Sequence, residues 1–142
     1  MNPIEFVKTL YFGDGYCTGF IVNQQKKRIE IHTNGIIRLR GKECEKKFQF
    51  NEFIDNGIVI IASVEKIIED KSGLVFNDEI YNISVNELEN SIYEFLIEGT
   101  HVYQDESMPG YYHGRYEQLE YKVLAREIYL IDPKQPDKKI IN

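Results

Sequence analysis

From Ser72 to Gly114 the chain contains no lysine or arginine. That absence excludes a phosphate-binding surface on this stretch, because phosphate contacts need clustered cations. Cysteine is scarce: Cys17 and Cys44 are the only two, too few for a disulfide scaffold. No apolar run approaches the roughly 20 residues of a membrane span. The opening Met-Asn-Pro-Ile-Glu-Phe lacks a basic region followed by an apolar block, so no secretory signal is expected. Together these absences predict a cytoplasmic protein with reduced thiols, no membrane partner and no nucleic-acid partner. In an exported chain, one Cys17–Cys44 bridge would be the pairing available.

The cation-free stretch instead holds eight carboxylates: Asp78, Glu79, Glu87, Glu89, Glu94, Glu98, Asp105 and Glu106. Tyr81, Tyr93, Tyr103, Tyr111 and Tyr112 lie among them. A long single-signed segment bearing tyrosines suits a surface that faces a cation or a basic protein. The net charge of −6 is accordingly uneven: residues 1–71 carry 11 basic and 10 acidic side chains, residues 72–142 only 6 basic against 13 acidic. Lys26-Lys27-Arg28 and Lys46-Lys47, the dense basic clusters, fit solvated turns. At 142 residues, 42% hydrophobic and 28% charged, the composition is globular, and the length predicts a single domain over 1–142.

Asn2-Pro3-Ile4-Glu5 forms a helix start, with Asn2 as cap and Pro3 at the first helical position. Phe6, Val7, Leu10 and Tyr11 recur on one helical face, which predicts a helix of about three turns ending at Gly13-Asp14-Gly15. Beyond Tyr16 the period changes to two. Phe20 and Val22, Ile29 and Ile31, and Ile36 to Leu39 read as strands, with Asn34-Gly35 as a turn pair. The continuous apolar run Ile58 to Ile61 suits a strand buried on both faces. Ile83 and Val85, Tyr93 to Glu98, Leu119 to Val123, and Ile128 to Ile131 complete the set. About seven or eight strands result, predicting a mainly β fold: an antiparallel sandwich or strongly bent sheet with one short N-terminal helix. The connection between the strands at Tyr93 and Leu119 is long, and long loops in compact domains are often functional.

No catalytic constellation stands out. His101, Asp105, Glu106 and His113 could converge across the long hairpin, but they lack a recognised ligand spacing, so neither metal nor other cofactor is expected. Cys17 has no base at a diagnostic spacing. Asp105-Glu106, in so polar a loop, read as solvated rather than as an acid–base pair. The glycine-rich Gly13 to Gly19 precedes a strand and carries no lysine, unlike a phosphate cradle, which opens a helix. The aromatics lie among carboxylates that would repel a nucleic-acid backbone, whereas exposed tyrosines suit protein recognition. Tyr93 and Tyr121 read as core residues. Tyr103, Asp105, Glu106, Tyr111, Tyr112 and Tyr116 are the candidate partner-binding residues.

The chain resembles a group of small bacterial proteins of uncharacterised function. Asn2-Pro3-Ile4-Glu5-Phe6, Phe12-Gly13-Asp14, the segment Val64 to Tyr81 with Ser72-Gly73 and Asn77-Asp78, and Tyr129-Leu130-Ile131-Asp132-Pro133 carry the resemblance. In size and charge it also looks like the immunity proteins of bacterial toxin systems. That likeness implies a non-enzymatic inhibitor that occludes a cognate basic toxin through an acidic, tyrosine-bearing surface. The alternative expectation is a small ligand-binding or enzymatic β domain with a pocket between sheets.

Overall fold

The computed structural model describes residues 1–13, 16–39, 52–69, 80–102 and 116–141; at 69, 80–81, 101–102 and 116 it describes the backbone alone. The N-terminal helix α1 (Pro3–Val7) begins as its sequence dictates, with the Glu5 N–H donating to Asn2 Oδ1 at 2.9 Å. It does not reach Gly13. Both the N–H and the hydroxyl of Thr9 donate back to the Phe6 carbonyl, at 2.9 and 2.6 Å, and close the helix. The Leu39 N–H then donates to the Thr9 carbonyl at 2.8 Å, and β1 (Leu10–Tyr11) pairs with β4 (Gly35–Arg38). Leu10 and Tyr11 fitted a helical face, but two residues gain more from ladder pairing than from one more turn of a short helix.

The remaining strands are β2 (Cys17–Asn23), β3 (Arg28–Thr33), β5 (Glu52–Asp55), β6 (Ile58–Ala62), β7 (Lys66–Glu69), β8 (Ile80–Glu87), β9 (Tyr93–Val102), β10 (Tyr116–Ala125), β11 (Glu127–Ile131) and β12 (Lys139–Ile140). The described residues thus hold more strands than sequence periodicity suggested, the additions being short ones such as β1, β7 and β12. All pairings are antiparallel and give a five-stranded sheet β12-β11-β6-β3-β2, a four-stranded sheet β7-β10-β9-β8 and a three-stranded sheet β1-β4-β5. The fold is mainly β with one short helix. None of its helices is long and apolar enough to cross a membrane, among the described residues.

The two larger sheets meet at a corner that the same two chain segments turn together. β6 passes into β7 through Ser63, Val64 and Glu65, while β10 passes into β11 through Arg126 alone. Pairing continues around the bend: the Glu65 N–H donates to the Leu124 carbonyl at 2.8 Å, and the Arg126 N–H to the Ala62 carbonyl at 3.3 Å. Ser63 adopts a φ of 54°, which turns the chain sharply. The extra residue at the corner is visible in burial. Leu119, Tyr121, Val123 and Ala125 point inward from β10, whereas Ile128 and Leu130 do so from β11. Such strand-switching corners are how a bent sheet closes over its own inner face.

That inner face is the core. Ile29 and Ile31, Val59 and Ile61, and Ile128 and Leu130 line it from one sheet; Ile83, Tyr93, Phe95, Ile97 and the inward residues of β10 line it from the other. Tyr93 and Tyr121 are buried, as expected, and Phe20 meets the Tyr121 ring edge-on at 5.0 Å. β6 lies between β3 and β11, and Val59, Ile60 and Ile61 are all buried, the two-faced burial its apolar run predicted. Phe6, Ile36 and Ile54 bring α1 and the three-stranded sheet onto the same core.

Asn34 makes the turn expected of Asn34-Gly35, and it leads from β3 to β4, which belong to different sheets. Its Oδ1 accepts from the Tyr16 N–H at 2.9 Å, and its carbonyl accepts from the Asn56 N–H at 3.3 Å, so it ties together three segments. At Gly35 a Cβ would sit 2.5 Å from Phe53 Cζ, so a side chain there would displace the exposed Phe53 ring. Arg38 is 1% exposed; its guanidinium stacks 5.2 Å from the Phe6 ring centroid and its Nη2 donates to Thr9 Oγ1 at 3.2 Å. Contacts of this kind offset part of the cost of burying a cation.

Candidate partner-binding face

The β8–β9 hairpin closes through Asn90 and Ser91, at φ 53° and 61°, with the Leu88 N–H donating to the Ile92 carbonyl at 2.9 Å. Two successive left-handed residues match the twist of antiparallel strands. That turn fixes the register of β8 on β9, and ten consecutive pairs from Ala125↔Tyr93 to Tyr116↔Val102 fix β10. With Phe95, Ile97, Tyr121 and Val123 turned inward, the alternating residues form the opposite face of the sheet. Asn82, Ser84 and Asn86 contribute from β8, Glu94, Leu96, Glu98 and Thr100 from β9, and Gln118, Glu120, Lys122 and Leu124 from β10.

Register then places Glu98 directly opposite Glu120, with Asn82 on its other side. Asn82 Nδ2 donates to Glu98 Oε1 at 3.2 Å, which orients that carboxylate. Neither glutamate, nor Glu94, forms an ion pair within the described residues. Like charges directly opposite on a sheet are mutually destabilising. The cations of this face are Lys122, two residues from Glu120 on β10 and opposite Leu96, and Lys66 of β7, opposite Leu124. The carboxylates Glu94, Glu98 and Glu120 thus occupy the two central strands, with Lys122 diagonal to Glu94 and Glu98.

Of the residues expected to bind a partner, Tyr103, Asp105, Glu106, Tyr111 and Tyr112 lie outside the described residues. Tyr116 starts β10, its backbone opposite Val102; its side chain lies outside them too. His113 and Cys44 likewise lie outside, while Cys17 is buried. The sequence had marked Tyr93 to Glu98 as a strand, but not Glu98 and Glu120 as a pair, since cross-strand register is set by the β9–β10 pairing and not by local spacing.

A second polar row lies on β3. Glu30 sits between Arg28, whose Nη2 is 3.0 Å from its Oε2, and His32, whose Nε2 is 3.3 Å from its Oε1. The row is half-buried, Glu30 lying opposite the buried Ile60, and the cavities near Val22 and Ile67, near Asp132 and Lys139, and near Leu10 and Ile83 include neither Glu30 nor His32 in their walls. Among the described residues no three metal-ligating side chains cluster.

No curated protein and no solved structure matches the chain. A family model described as a family of unknown function, DUF6258, matches residues 1–142, so the group of uncharacterised proteins that the sequence resembles has a definite form: the chain belongs to that family.

Proposed function

We propose that this chain is a non-catalytic protein-binding domain, and that it acts as an immunity-type inhibitor occluding a basic toxin. The observation that carries the reading is the Glu98–Glu120 pair. The fold sets two carboxylates side by side at a cost to its own stability, and a cation laid between them from a partner removes that cost. Glu94 on the same face of β9, and Asn82 beside Glu98, extend the acceptor row. Opposed charge of this kind acts mainly on the rate of encounter and on the choice of partner. The 103–115 connection joins β9 to β10 and so leaves from this same sheet, which allows Asp105, Glu106 and the loop tyrosines to extend the contact.

The alternative reading, a small enzyme or ligand-binding domain, draws on the Glu30–His32 contact, because a carboxylate that orients a histidine is the usual support of a general base. Neither Glu30 nor His32 lines the cavities near Val22, near Asp132 or near Leu10. The inhibitor reading is tested by capture from the source cells on immobilised wild-type chain and on Glu98→Lys/Glu120→Lys. The expected result is a basic protein retained by the wild type and lost by the variant, whose toxicity on expression is neutralised by the wild-type chain alone. A partner retained equally by both would remove this face from the interface, and hydrolytic activity lost in His32→Ala would favour the enzyme.

A further inference from the structure

We draw no further inference here: the strongest candidate, the row of Tyr11, Ile37 and Phe53 that register sets side by side across the solvent side of the three-stranded sheet, is an apolar surface patch, and nothing in the structure shows what covers it.

Discussion

Replacing Glu120 by lysine is expected to stabilise the fold while it weakens partner binding. Directly opposed residues on neighbouring strands hold their Cβ atoms about 4.5–5.5 Å apart. Two like charges about 6 Å apart in solvent-like surroundings repel by roughly 0.7 kcal/mol. Glu120 is exposed and Glu98 half-buried, so screening by water applies to the pair. Glu120→Gln removes the repulsion, for a gain of about 0.5 kcal/mol; Glu120→Lys turns it into attraction, for a gain of about 1 kcal/mol. For a chain of this length that is a rise in Tm of roughly 3 °C. The assay is thermal unfolding of wild type, Glu120→Gln and Glu120→Lys at low salt and at high salt. The gain should increase in that order at low salt and largely vanish near 1 M salt, where the Debye length is about 3 Å. Unchanged or falling Tm in both variants, or a gain indifferent to salt, would refute the argument that the two carboxylates oppose each other at a cost.

Ser91→Gly should raise stability by about 0.5 kcal/mol in urea unfolding, because Ser91 holds a φ of 61° that glycine adopts without strain. Arg126→Ala should lower it by about 1 kcal/mol: its Nε donates to Glu65 Oε1 at 2.8 Å and its Nη1 to the Asn90 carbonyl at 3.0 Å, tying the sheet corner to the β8–β9 turn. Cys17 is 1% exposed, and in a Cys44→Ser background its thiol should react with a disulfide reagent only as fast as the domain opens, an expectation read by comparing native and denatured labelling rates.

The parts of the fold that sequence reasoning reached are those governed by local chemistry. The Asn2 cap, the period-two strands of the core and the two-faced burial of β6 each follow from residues adjacent in the chain. The parts it missed depend on partners distant in sequence. Leu10 and Tyr11 joined a strand because Ile37 and Arg38 were there to pair with them. β7 escaped notice because Ile67 and Ile68 sit between charged neighbours in a segment of four residues, too few for a period to show. The sheet corner had one readable sign, the change of inward parity between Ala125 and Ile128, which an alternation followed past Val123 would have exposed.

For the candidate face the division is sharper. An acidic bias over Ser72 to Gly114 was plain in the composition, yet composition cannot say which carboxylates share a face. Glu94 and Glu98 alternate with Phe95 and Ile97, so their side of β9 was legible. Glu120 lies outside the cation-free stretch, beside Lys122, and read alone it belongs to an ordinary solvated strand edge. Only the register of β10 on β9 brings it opposite Glu98, while the same register sets Lys122 two pairs further along, opposite Leu96. A slip of two residues would keep every core side chain inward and replace the like-charged pair by a Glu98–Lys122 pair. The inward set alone would permit that slip. What opposes it is the length-matched ten-pair ladder and the bend at Arg126, which anchors the end of β10 to Ala62 and Asn90. The corner therefore does more than close the core: it holds the two carboxylates in the opposition from which the proposed binding face draws its charge.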